Sequence, residues 1–313
     1  MTMLKLFQGR LRLPAIVAPM FLVNGPELVI AACKAGVAAS FPSLNARNGD
    51  VLAQWLGQIG AALESGDGKQ ACAPFGINLI LHKSNPRCDD DIAAAVAHKV
   101  PFLITSLGNP AKVVDAVRSY GGVVFSDVIN ATHARKAIEA GVDGLIAVGS
   151  GAGGHAGTQS LFSLAREIRQ FWDGPLVLGG AISDGAGIRA VEVLGADMAY
   201  IGTRFLATQE SMAPAQCKQM IVDSSADDVA YTDAVSGTHA NMLRKSLQGV
   251  YGDDWEAKAR ERRSDGPKAW RDVWSAGHGV ATIHDIPTVA ELVERLRDEY
   301  LAACQLPPNP ALY

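Results

Sequence analysis

The chain has no C-x-x-C pair, no block of like charge and no apolar run of membrane-spanning length, and it is poor in aromatic residues. Each absence removes a class of protein. Five cysteines, Cys33, Cys72, Cys88, Cys217 and Cys304, lie apart in apolar or helical patterns, so reduced thiols are expected. Lys and Arg number 28 against 32 Asp and Glu, a net charge of −4, and the single basic cluster, Arg260, Arg262 and Arg263, sits in a mixed-charge segment. A nucleic-acid partner is not expected. No carboxylate or cysteine joins a histidine at ligand spacing, so no metal site is expected. The first twenty residues lack the apolar stretch and cleavage site of a signal peptide, and no run reaches the ~20 residues of a membrane helix. A cytoplasmic protein without a membrane partner is the expectation, and a homodimer stays open. Aromatic residues are only 6% of the chain, yet three of the five tryptophans, Trp255, Trp270 and Trp274, fall in one segment.

What is present is a repeating alternation. Short apolar or β-branched runs predict strands over residues 15–18, 37–41, 75–81, 102–105, 122–126, 144–148, 175–178 and 198–201, each followed by a helical pattern. Pro26 marks the first turn of one helix, Asp50 opens another, and Asn130 reads as an N-cap. Eight strand-helix units at intervals of roughly 20 to 40 residues predict an α/β protein of the (β/α)8 TIM-barrel type rather than an open doubly wound sheet. At 313 residues and 48% hydrophobic, one barrel can hold a single large core. Residues 1–210 and 281–313 are assigned to that barrel, and residues 211–280 to a mostly helical cap inserted after strand eight, whose tryptophans need a surface to bury against. The GDGK run at 66–69 reads as a surface loop.

The stretch VGSGAGGHAGT, residues 148–158, sets five glycines around one histidine, His155. Gly149, Gly151 and Gly154 fit G-x-G-x-x-G, but a dinucleotide site needs an acidic residue at the end of the next strand, and that strand runs into Gly179 and Gly180. A glycine bed with one ionisable group is instead a candidate for chemistry, although such a histidine could simply satisfy backbone carbonyls. After strands seven and eight, Gly179, Gly180, Ala181, Gly202 and Thr203 supply the small residues and hydroxyl of a phosphate cradle at a barrel's C-terminal face. Asn78, the one polar residue in FGINLIL, must find partners at the same rim. His82, His98, His133 and His284 read as loop, helix or surface positions, and His239 is undecided.

Four segments, APM (18–20), GINL (76–79), GAGGHAG (151–157) and GGAISDG with GADMAYIGTRFLAT (179–185, 195–208), followed by WSAGHGV (274–280), resemble the nitronate monooxygenases, also called 2-nitropropane dioxygenases. The resemblance implies a TIM barrel with tightly held, non-covalent FMN. It implies that Asn78 hydrogen-bonds the flavin, that Gly153 lines it, and that Pro19 and Met20 approach the ring. By the same resemblance Gly180, Ala181, Gly202 and Thr203 hold the phosphate, and His155 is the active-site histidine. The implied reaction oxidises an alkyl nitronate with O2 to a carbonyl compound and nitrite. His155 would either hydrogen-bond the nitro oxygens or remove the α-proton of a neutral nitroalkane. The chain departs from the common pattern at Val148, Tyr200 and His278, each in place of a glutamine, at Ala181 in place of a glycine, and at Asp127, where some relatives carry lysine. The alternatives are an FMN-dependent NAD(P)H reductase of enoyl thioesters or quinones on the same scaffold, and a flavin-free barrel that uses the cradle for a sugar phosphate.

Overall fold

The structure is a computed structural model that describes residues 3–64, 71–261 and 266–307; the GDGK run at 66–69, Arg262 and Arg263 lie outside the described residues. Eight parallel strands close into a barrel: β1 (Ala15–Val17), β2 (Ala38–Pro42), β3 (Phe75–Ile80), β4 (Phe102–Ser106), β5 (Val123–Val128), β6 (Gly144–Val148), β8 (Leu176–Gly179) and β9 (Met198–Ile201), with β9 pairing back onto β1. Strand β7 (Gly154–His155) lies outside the barrel. The helices that return the chain from strand to strand are α2 (Pro26–Lys34), α3 (Gly49–Glu64), α4 (Cys88–Ala97), α5 (Ala111–Arg118), α6 (Ala131–Glu139), α7 (Leu161–Ile168) and α8 (Gly185–Val193), with α1 (Met3–Phe7) preceding β1. Their starts follow the sequence signals: Pro26 stands at the first position of α2, and the Asn130 carboxamide accepts the His133 N–H at 2.8 Å.

Because successive residues of a strand point to opposite faces, each strand supplies two layers. Val17, Ile77, Leu103, Val124, Leu145 and Leu178 pack against the helices, whereas Ile16, Ile104, Phe125, Ile146, Val177 and Met198 fill the barrel. Each fully buried large apolar side chain contributes roughly 1.5–3 kcal/mol of transfer free energy, so closure of the ring is driven from both faces. The N-terminal end of the barrel is stoppered by Phe7, whose ring lies 5.7 Å from Phe102 and 6.3 Å from Phe125. Strand β5 runs two residues further than the sequence implies, because Asp127 and Val128 register with Ile146 and Ala147 of β6. That extension sets Asp127 inside the sheet rather than on its rim.

After β9 come α9 (Thr203–Leu206), α10 (Ala215–Val222), β10 (Val229–Thr232), β11 (Ala240–Leu243), α11 (Arg244–Tyr251) and α12 (Trp255–Arg260). Among its described residues the insert thus carries the α-helices α10, α11 and α12, and also an antiparallel hairpin, β10–β11, that the sequence reading lacks. It has a small core in which Trp255 packs with Met242, Leu247 and Val273. The last helix, α13 (Val289–Cys304), is opened by a Thr288–Glu291 capping box and lays Val289, Leu292, Val293 and Leu296 back on the barrel's helical layer. Among the described residues no helix is long and apolar enough to cross a membrane.

Candidate active site

The inward parity that fills the barrel also writes its top layer. The last inward positions, Ala18, Asn78, Ser106, Asp127, Val148, Gly179 and Tyr200, form the floor of a cavity of about 1230 Å³ at the C-terminal face. Pro19, Met20, Asn78, Gly153, His155, Gly180, Ala181, Gly202 and Thr203, the nine residues singled out from sequence, all line it.

The Pro19–Met20 turn is held from beneath by two asparagines. Asn24 accepts the Met20 N–H at 3.2 Å and donates to Ser40 O at 2.7 Å, and Asn45 donates to Met20 O at 2.9 Å. The glycine loop is braced by the insert: the Asn241 amide donates to Ser150 O at 2.9 Å and Ala152 O at 2.6 Å, and the Ser275 hydroxyl accepts the Gly154 N–H at 2.6 Å. Strand β7 then joins the hairpin as a third strand, with His155 opposite Ala240. No local signal marks Asn241 or Ser275, since their partners lie about 90 to 120 residues earlier in the chain.

His155 is presented on that edge, exposed to the mouth, with the Trp270 ring edge-on at 5.1 Å. Among the described residues nothing hydrogen-bonds its imidazole. The ring therefore does not serve to satisfy carbonyls. Partial burial lowers its pKa from the ordinary 6.5, which keeps it neutral at pH 7 and able to accept a proton. His239 lies in the same mouth, its ring tilted against that of Tyr231 with centroids 5.0 Å apart. His82 bonds its neighbour Ser84 at 2.7 Å, and neither it nor the His278 side chain is among the lining residues.

The cradle is packed backbone against backbone. A Cβ on Gly153 would stand 2.8 Å from Gly277 N, so that glycine is required by the docking of the insert. Gly180 has φ +142° and Ala181 φ +55°, both in the positive-φ range that favours glycine, and the Ala181 N–H is committed to Gly151 O at 3.1 Å. Space stays open over Gly202, where a Cβ would meet nothing nearer than 3.7 Å. Thr203 Oγ1 accepts the Gly277 N–H at 2.9 Å, which leaves its own proton free to be donated. The neighbouring Arg204 is not part of the cradle; it is buried and donates to the Asp285 carboxylate at 3.1 Å.

On the floor, the Asn78 amide donates to Ile104 O at 3.2 Å and to Ser106 Oγ at 2.7 Å, and Ser106 donates to Asp127 Oδ2 at 2.6 Å. Asp127 Oδ1 and the Tyr200 hydroxyl are buried without a partner among the described residues. Burial pushes the Asp127 carboxyl up to about 7, and burial followed by the nearby Asp127 raises Tyr200 well above 10.0. An unsatisfied buried polar atom costs about 1–3 kcal/mol, and both of these belong to residues that line the cavity, so its floor suits a ligand with a polar edge. A flavin mononucleotide fits this arrangement: the glycine turns could take the phosphate, the floor atoms the polar edge of the ring, and Pro19, Met20 and Val148 its apolar part. Among the described residues no group of three His, Cys, Asp or Glu could hold a metal ion.

A family model described as nitronate monooxygenase matches residues 71–299. A nitronate monooxygenase of Paraburkholderia phytofirmans is 25% identical over 286 residues, 77% of this chain and 76% of that protein. A Mycobacterium tuberculosis enzyme, (3aS,4S,5R,7aS)-5-hydroxy-7a-methyl-1-oxo-octahydro-1H-indene-4-carboxyl-CoA dehydrogenase, is 27% identical over 237 residues, and the chain spans 64% of its length. The solved structure of FabK from Thermotoga maritima superposes with a TM-score of 0.80 at 26% identity over 96% of each chain. Nitroalkane oxidase from Streptomyces ansochromogenes shares the fold, with a TM-score of 0.78 at 24% identity over 97% of this chain and 99% of that one.

Proposed function

The chain belongs to the nitronate monooxygenase family and is a flavin-dependent oxidoreductase, and we propose that it binds FMN and oxidises alkyl nitronates with O2 to a carbonyl compound and nitrite. The observation that carries this reading is His155: a neutral imidazole with no hydrogen-bond partner among the described residues, presented over a cavity walled by glycine turns. Gly180, Gly202 and Thr203 would hold the phosphate, and Asn78, Gly153, Pro19 and Met20 would line the ring. Ala181 would contribute through its turn conformation, since its N–H is already bonded. When bound, the flavin supplies the electron-accepting chemistry. His155 would bind the substrate's nitro oxygens by hydrogen bond, and from a neutral nitroalkane its imidazole nitrogen would take the α-proton. Trp270 and Tyr231 on the insert would screen the mouth from water.

Anaerobic mixing of FMN-loaded protein with ethylnitronate, propionate 3-nitronate and NADH in turn, following the flavin absorbance, tests the reading. Rapid bleaching by a nitronate and slow bleaching by NADH is the expected result. Rapid bleaching by NADH alone would make the protein a reductase, and a protein that takes up no FMN would sink both readings.

A pH dependence follows from the lowered pKa of His155. For a neutral nitroalkane, kcat/KM is expected to fall on the acid side through a value below 6.5, because only the neutral imidazole can accept the proton. For a pre-formed nitronate that limb should be absent, since a protonated ring still donates to the anion. An identical acid limb with both substrates would remove His155 as the base.

A further inference from the structure

We propose that Asp127 couples charge on the bound flavin to a proton held by the protein: its carboxyl, set into the barrel floor and paired with no cation among the described residues, takes up one proton as two electrons reach the ring. The proposal rests on the flavin reading above.

Three adjacent strands build the site. Asn78 on β3 donates to Ser106 Oγ on β4, and Ser106 donates to Asp127 Oδ2 on β5, so the serine proton is directed at the carboxyl. The other carboxyl oxygen, Oδ1, is buried, has no partner, and belongs to a residue that lines the cavity. From β9 comes Tyr200, 9% exposed, whose hydroxyl is also without a partner. Strand β6 adds only apolar Ile146 and Val148 on this side. The other titratable groups that line the mouth are His155 and Tyr231 on the small sheet, His239 just before β11, and His133, Lys136 and Glu139 on α6. Among the described residues none of them forms an ion pair or hydrogen bond with Asp127.

A carboxylate in this position is penalised by lost hydration and relieved only by Ser106, so its proton exchanges near neutral pH, at about 7. Negative charge gathering on a ring in the same cavity raises that value further, since like charges disfavour each other. The balance is two electrons from the organic substrate and two protons from solvent, one held with the bound flavin and one by Asp127. When the acceptor takes the electrons back, the carboxyl releases its proton.

The test is the midpoint potential of FMN-loaded protein as a function of pH, measured by spectroelectrochemical titration in the wild type, Asp127→Asn and Ser106→Ala. Each proton taken up makes the reduction equilibrium fall by about tenfold per pH unit. Above neutrality the wild type is expected to fall by about a hundredfold per unit and Asp127→Asn by about tenfold. Ser106→Ala removes the hydrogen bond from Ser106 that favours the carboxylate, so it should move the steep region to higher pH. Equal slopes in wild type and Asp127→Asn, or a steep region that Ser106→Ala leaves in place, would overturn the proposal while leaving the flavin reading intact. A protein that takes up no FMN would overturn both.

Discussion

Replacing His155 with asparagine is expected to lower turnover of a neutral nitroalkane by roughly 10²- to 10⁴-fold, the usual contribution of a positioned base. FMN content, read from the visible spectrum of the purified variant, should be unchanged. On a pre-formed nitronate the loss should be smaller, about 10- to 150-fold, which corresponds to the ~1.5–3 kcal/mol of one hydrogen bond to a charged group. The reasoning rests on isolation. Among the described residues the imidazole packs on the edge of Trp270 and has no hydrogen-bond partner, and His239, just before β11, lies against the Tyr231 ring, so no neighbour stands ready to replace it. Asparagine keeps a donor but cannot accept a proton at neutral pH, and for that reason the two substrates should separate. Unchanged turnover of both would remove His155 from the mechanism.

Gly277→Ala should be nearly as damaging by a different route. The added methyl would overlap Gly151 O and stand 2.8 Å from Gly153 N, and both are backbone atoms that cannot swing aside. Overpacking of this kind costs about 1–3 kcal/mol. The shift would also break the bond from Gly277 N–H to Thr203 Oγ1 and that from His278 N–H to Gly151 O, each worth about 0.5–1.5 kcal/mol. The expected outcome is a lowered thermal midpoint together with weaker FMN binding, because the strained atoms belong to the two turns assigned to the phosphate and the ring. Calorimetry and FMN fluorescence titration would check it. Wild-type values in both would mean that the contact between insert and glycine loop is slack.

The barrel was legible because its signals are local. Eight apolar runs, the Asn130 cap and the Pro26 start each state their structure within a few residues, and the observed strands begin and end within two residues of the expected positions. The glycine loop and the two cradle turns were legible for the same reason. Ser106 and Tyr200 could have been found by counting in twos, since each lies on the inward parity that starts at Phe102 and Met198. Two features could not be read. Helix α1 stoppers the barrel with Phe7, a contact that depends on where Phe102 and Phe125 end up. Strand β7 is two residues long and extended only because β11, some 85 positions later, is there to bond it. Non-local pairing of that kind leaves no trace in the Gly154–His155 dipeptide itself.

The union of β7 with the hairpin makes the imidazole a shared possession of barrel and insert. A shortened chain from which the hairpin had been pruned would be no simpler, roomier version of the same enzyme. It would lose the hydrogen bonds that stretch residues 154 and 155 straight, and the histidine would hang from a slack tether of glycines with nothing to aim it.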